Sequence, residues 1–339
     1  MPIFRLKDKL SKERFSTGLD IGTQTIKMVK LKFIQDAVEL LSFHLEPFSA
    51  LGLGEILKRI KESGGIDTIN LSFSGPSTVI RYVNFPKMNK DELQHALKFE
   101  AQKHIPFPVN EVNLDGFVLK ENLPDNKMLV LLAAVKKDLV GQRLKLMEDT
   151  GLKVNIADLD SLALINAFKF SYSSDDIPKQ KAIALLNIGA SVSDLDILED
   201  GIPRLSRDIH IAGNNITQKL ADIFAIDFKA AEELKLNPTP ERADKVNRAS
   251  ESVLANLATE VRGSFDFYES QGASSVVKIF LSGGSSRVGG IKDMLVSFLG
   301  IEVDYWDPLR KINLSQGIDA EKIKAISNRF CVALGLALR

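Results

Sequence analysis

The chain has 339 residues, 45% hydrophobic and 26% charged, a globular balance that excludes a short peptide module and argues against long disorder. One hydrophobic core rarely spans such a length, so two domains or a divided domain are expected. Forty-four Lys plus Arg against 44 Asp plus Glu leave no net charge, which removes the field that would draw the whole molecule to nucleic acid or acidic lipid.

At the N-terminus, Ile3, Leu6 and Leu10 recur at helical spacing between basic residues, the pattern of a weak amphipathic anchor, although the looseness of chain ends favours a solvated tail. The segment lacks the apolar core of a signal peptide, and no later stretch nears the roughly 20 apolar residues of a membrane span. Residues 17–32 predict a hairpin: an apolar strand, a polar turn containing Gly22, and a returning strand through Ile26, Met28 and Leu31. Leu53, Ile56, Leu57 and Ile60 form one stripe of a helix over 53–63 that stops at Gly64-Gly65, and a strand follows at 68–73. Residues 78–157 read as a separate inserted α+β unit of strand, helix, two strands, helix and strand. Its first helix is capped by Asn89 and stopped by Ile105-Pro106-Phe107-Pro108.

A second hairpin of the same grammar spans 182–198, about 165 positions after the first, and implies internal duplication. Beyond residue 210 the pattern is helical, with Val246, Val253, Leu257, Val261, Phe265 and Tyr268 marking a long packed helix. A strand at 276–284, a Gly and Ser turn, a helix near 290–299 and an apolar closing helix complete the chain. The single cysteine, Cys331, falls in that last helix, where packing is the expected role. His44, His95, His104 and His210 lack zinc-ligand spacing, so a reduced cytosolic protein without a metal cluster is expected.

Three elements carry chemistry. Asp20, Gly22, Thr23, Gln24, Thr25 and Lys27 combine a strand-end carboxylate, bare backbone, polar side chains and a cation; such a turn can cradle phosphate oxygens while Asp20 holds Mg²⁺ through water. Asn187, Gly189, Ser191 and Ser193 repeat the turn. Gly283, Gly284, Ser285 and Arg287 offer bare backbone to a flat ring ahead of a helix. Taken singly, each turn is equally an ordinary hairpin. In this order they are the pattern of the actin-like ATPase fold, in which two related domains clamp a nucleotide.

The segment 93–118, the run AVKKDLVGQRLKLMEDTGLK and the terminal VALGLALR resemble the PilM family, actin-like proteins of type IV pilus assembly, over about residues 15–339. The phosphate hairpins alone are shared with FtsA, sugar kinases and heat-shock chaperones. The resemblance implies an α/β fold of two duplicated, ribonuclease H-like domains with an SHS2-type insertion. Subdomain 1A would occupy 1–77 and 158–180 and take a closing helix at 326–339; 1C would be 78–157, 2A 181–210 and 276–325, and 2B 211–275. It further implies ATP and Mg²⁺ as ligands and the short cytoplasmic N-terminal segment of PilN, an inner-membrane protein, as partner. The protein would then lie in the cytoplasm at the inner-membrane face, with other pilus proteins and self-association as further contacts. Carried over by position, the first turn is phosphate motif one, and Asn187, Gly189, Ala190 and Ser193 are motif two. Gly283, Gly284, Ser285 and Arg287 form the adenosine motif. Glu232 and Lys235 sit where the superfamily contacts ribose and purine, although Glu-x-x-Lys on a helix is commonly an exposed pair.

One departure concerns catalysis: motif two ordinarily begins with Asp, and Asn187 is neutral, so weak or absent hydrolysis is expected. Three rival readings differ by their requirements, the third being a type II secretion relative, which usually continues into a membrane span. A sugar or acetate kinase needs a catalytic carboxylate and polar sugar contacts, and no such set stands out. An FtsA-like division protein carries a C-terminal membrane helix, whereas this sequence stops at Leu338-Arg339.

Overall fold

The computed structural model describes residues 13–35, 37–48, 52–179 and 181–339; the amphipathic spacing at Ile3, Leu6 and Leu10 lies outside them. Strand β1 (Arg14–Ile21) pairs antiparallel with β2 (Thr25–Ile34), so that Asp20 faces Lys27, and β3 (Ala37–Pro47) extends the meander. Helix α1 (Leu53–Gly64) buries Ile56, Leu57 and Ile60 and ends where Gly65 turns left-handed at φ 55°. Strand β4 (Thr68–Phe73) then joins β1 in parallel.

The inserted unit comprises β5 (Thr78–Pro86), α2 (Lys90–His104), β6 (Val112–Leu123) and β7 (Lys127–Lys136), a three-stranded antiparallel sheet with β7 in the centre. Asn89 caps α2 reciprocally: its side chain accepts from the Glu92 amide while the Glu92 carboxylate accepts from the Asn89 amide. Leu93, Leu97 and Ala101 face the sheet, Ile105 is buried beside them, and Phe107 packs partly into the same core under the Lys136 ammonium at 4.7 Å.

The chain leaves this unit earlier than 157. Helix α3 (Lys137–Asp149) and β8 (Lys153–Leu159) belong to the first sheet, where β8 runs parallel to β4. Met147 and Leu152 fill the core formed by Leu19, Met28, Ile56 and Leu71. A parallel pair needs a crossover, and the insertion together with α3 supplies it.

Helix α4 (Asp160–Ser171) leads to the second meander of β9 (Ala182–Ile188), β10 (Ser193–Glu199) and β11 (Ile202–Ile209). Helices α5 (Gly213–Phe224), α6 (Phe228–Leu236) and α7 (Pro240–Glu269) follow. The start of α7 packs with α5 and α6, whereas Leu257, Val261, Phe265 and Tyr268 cover the second sheet, so the helical subdomain ends inside α7 and not at 275. Strand β12 (Val276–Ser282) pairs parallel with β9, and after α8 (Ile291–Leu299), β13 (Glu302–Tyr305) pairs with β12. The second sheet runs β11-β10-β9-β12-β13, the same order and directions as β3-β2-β1-β4-β8, and this repeats the hairpin grammar at the level of whole sheets.

The return to the first half also comes before residue 326. Strand β14 (Asn313–Leu314) lies beside β3, and Trp306, Leu309 and Ile312 enter a core with Leu31 and Leu40 because these large apolar groups find cover there. Helix α9 (Ala320–Ile326) precedes α10 (Cys331–Ala337), which packs on α4 between the two sheets. Close approach explains its glycine: a Cβ on Gly335 would collide with the Ala163 carbonyl, and one on Gly18 with the Ala333 carbonyl. Cys331 is buried and donates to the Asn328 carbonyl at 3.3 Å, and burial pushes its thiol pKa up.

Candidate functional site

The cleft is built where two equivalent strand ends face each other. On β1 and β2, cross-strand register places Lys27 Nζ 3.0 Å from Asp20 Oδ2. A Cβ on Gly22 would stand 2.7 Å from Lys27 Nζ, so any side chain there would push the lysine off its partner. The Gly22 amide donates to the Thr25 carbonyl at 3.1 Å, Thr23 is exposed at the tip, and Gln24 Nε2 reaches across to Asn214 Oδ1 at 2.7 Å.

The second hairpin repeats the register with different chemistry. Asn187 faces Asp194 across β9 and β10, as Asp20 faces Lys27. Asn187 Nδ2 donates to Asp194 Oδ2 at 2.8 Å, and Ser282 Oγ donates to Asn187 Oδ1 at 3.2 Å. The carboxylate missing at 187 is therefore present one strand over. Gly189 must be bare, because a Cβ would meet the Val192 carbonyl oxygen at 2.7 Å. The Ala190 carbonyl accepts from the Asn214 amide at 2.7 Å. The Ser193 hydroxyl is buried and donates to the Ile211 carbonyl at 2.7 Å; it holds the hairpin's shape and is not directed at a ligand.

In the third element Gly283 has φ 93°, and a Cβ there would collide with Ile188. Asn328 Nδ2 fixes this loop by donating to the Gly283 carbonyl at 3.1 Å and to Ser286 Oγ at 2.9 Å. Gly284 is exposed, Ser285 Oγ occupies the space a side chain on Gly213 would need, and the exposed Arg287 guanidinium donates to the Ala325 carbonyl. Glu232 and Lys235 are not a surface pair. Lys235 is buried, and its Nζ donates to Glu232 Oε2 at 2.7 Å, Thr217 Oγ1 at 2.9 Å and the Gly213 carbonyl at 3.3 Å. Burial lowers its pKa and Glu232 opposes that shift. Gly213 thus gathers the second hairpin, the third loop and the Glu232–Lys235 pair around one point.

Sequence reasoning missed an acidic wall beside the hairpins. Asp194 faces Asp208 and Asp196 faces Ser206 across β10 and β11, all on one face of the sheet. With Asp160 at the start of α4, Asp194 and Asp208 line a cavity of about 240 Å³ that also takes in Arg81 and His210. Burial pushes Asp194 well above the usual carboxylate range, and Asp160, the next largest cause, adds to it. Burial and the Asp20 charge raise Asp160 to about 6; burial raises Asp196 to about 7 against the hydrogen bond from Ser206. Tyr82 of the inserted unit reaches this wall through Ser206 at 2.8 Å, and Ser206 donates to Asp196 Oδ1. The signal was the alternation in Ser193-Asp194-Leu195-Asp196, two carboxylates on one strand face.

These residues suit a polyphosphate carrying a divalent cation. The bare turns at Gly22 and Gly189 leave room for close approach and Lys27 supplies positive charge. Among the described residues no group of three or more His, Cys, Asp or Glu could hold a metal ion unaided.

The sequence model of type IV pilus assembly protein PilM matches residues 18–339. The chain belongs to the PilM family. The solved PilM-PilN type IV pilus biogenesis complex is similar at 25% identity and a TM-score of 0.85, over 96% of this chain and 98% of that one. The ethanolamine utilization protein EutJ from Carboxydothermus hydrogenoformans shares the fold, at 15% identity and a TM-score of 0.56 over 96% of this chain and 89% of its own. The chaperone protein dnaK of Cyanophora paradoxa is 29% identical over 112 residues, which make up 31% of this PilM-family chain and only 18% of the chaperone. The fold is the actin-like ATPase fold of the PilM family. No described helix is long and apolar enough to cross a membrane.

Proposed function

We propose that this chain is a nucleotide-binding scaffold of type IV pilus assembly that takes ATP with Mg²⁺ between its two hairpins and docks the cytoplasmic N-terminal segment of PilN. The observation that carries the pilus reading is the near end-to-end similarity to the PilM-PilN complex. The nucleotide reading rests on the duplicated hairpins and on the convergence of Gly283, Glu232 and Lys235 near Gly213.

In this reading Lys27 would neutralise phosphate charge, and Asp20, now paired with that lysine, would hold the cation through water. When bound, Mg²⁺ would supply positive charge between the phosphate oxygens and the surrounding carboxylates. Bare backbone at Gly22 and Gly189 admits the phosphates, and Gly283 with Gly284 admits the base. Hydrolysis is slow because Asn187 cannot serve as a base and its amide is spent on Asp194.

For the partner, Ile105 is buried in the inserted unit and Phe107 packs partly against the same core. Besides Phe99 on α2, the exposed apolar groups are Phe117, opposite Leu131 on the sheet face turned away from α2, and Leu144 on α3. They offer apolar purchase between the insertion and the first sheet for an extended segment.

Thermal melting with ATP and Mg²⁺ at millimolar concentration tests the nucleotide reading. A raised Tm is expected, and Asp20→Ala or Lys27→Ala should weaken binding by about 1–3 kcal/mol each. No shift in wild type would sink the nucleotide assignment, and turnover near 10 per second would contradict slow hydrolysis.

A further inference from the structure

We propose that Asn214 is a cross-cleft clip that exchanges its bond to the first hairpin for a phosphate group, so that it binds the nucleotide and reports its presence. This inference rests on the nucleotide reading above. The Asn214 side chain touches both hairpins: its Oδ1 accepts from Gln24 Nε2 at 2.7 Å, and its Nδ2 donates to Ser191 Oγ at 2.9 Å. Among the described residues, the Gln24 contact is the side-chain hydrogen bond that ties the tip of the first hairpin to the second half.

The two ends of this bond are not equally free. Asn214 is fastened to the second hairpin through its own amide to the Ala190 carbonyl at 2.7 Å, and the preceding Gly213 amide donates to the Gly189 carbonyl at 3.2 Å. Gly213 is wedged against Ser285, where no side chain fits. Asn214 therefore moves with the second hairpin, the third loop and the Lys235 cluster as one body. Gln24 moves with the first hairpin, whose strands are paired along their length. A change in the gap between the hairpins must be taken up at the Gln24–Asn214 contact.

The chemistry favours exchange. Gln24 Nε2 and Asn214 Nδ2 are both N–H donors, and without a ligand one satisfies a neutral carboxamide oxygen and the other a hydroxyl. A phosphate oxygen between the hairpins accepts from both, and a charge-assisted hydrogen bond is about twice as strong as the neutral one it replaces. The ligand thus substitutes for the clip, and the two halves stay joined through the anion.

Two measurements on the full chain test this. Wild type, Asn214→Ala and Gln24→Ala are titrated with Mg²⁺-ATP and with adenosine, which has no phosphate. Asn214→Ala should weaken ATP at least about tenfold and leave adenosine unchanged. Hydrogen exchange without nucleotide should show faster exchange at residues 21–25 and 189–193 in both variants, which also confirms that they fold. Unchanged ATP affinity in Asn214→Ala, equal loss for ATP and adenosine, or exchange identical to wild type overturns the clip while the nucleotide reading stands. No ATP binding by wild type overturns both.

Discussion

Asp196 is wholly buried on β10, with Oδ1 bonded to Ser206 and Oδ2 without a partner. A pKa raised to about 7 from 3.8 means that the folded chain keeps a proton which the unfolded chain releases. The associated stability is present below the unfolded value and is lost as pH rises through 7. Asp160, raised to about 6, acts in the same direction, whereas the lowered carboxylates of Glu199 and Asp304 are ionised well before pH 5. Between pH 5 and 8, Tm should therefore fall, and Asp196→Asn, which supplies a neutral amide of the same shape, should flatten the slope. A variant whose slope matches wild type would contradict this account. The same wall sets the expectation for Asn187→Asp. It would set a second carboxylate 2.8 Å from Asp194 in place of a hydrogen bond, so the variant should lose stability as pH rises and should not gain turnover until a cation occupies the site. A clear increase in hydrolysis without lowered Tm at pH 8 would show that Asp194 yields easily.

Among the elements, α10 is the most constrained. Gly335 lies where any side chain meets the Ala163 backbone of α4, so Gly335→Val should prevent soluble expression, whereas Asn89→Ala at the start of α2 should cost about 1 kcal/mol by chemical denaturation. Equal stability of the two variants would show that α10 can shift. Both hairpins were legible because alternation on either side of a glycine turn is local information. The Asn89 cap was legible for the same reason. The ownership of β8 was not: residues 153–159 read as a strand, but nothing local says that the strand joins β4 and not the three-stranded insertion. The burial of Lys235 was not legible either, since it comes from Gly213 and Thr217, which the chain brings in from a different helix. The acidic wall left a trace at Asp194 and Asp196, but its partners on β11 and α4 come together only through folding.

At the scale of the whole molecule, two copies of one sheet face each other across α4 and α10, and the insertion projects from the first. Its two ends lie side by side, with the Lys136 amide donating to the Ser77 carbonyl at 3.0 Å, so the unit can be carried by the core without interrupting it. In the proposed function, that layout sets the nucleotide cleft apart from the exposed Phe117 and Leu144. The direct test is a binding titration of the PilN N-terminal peptide against wild type, Phe117→Asp and Leu144→Asp, each saturated with Mg²⁺-ATP. The account predicts saturable binding by wild type and at least about tenfold weaker binding by each variant, or 1.4 kcal/mol. No binding by wild type, or three superimposable isotherms, would contradict it.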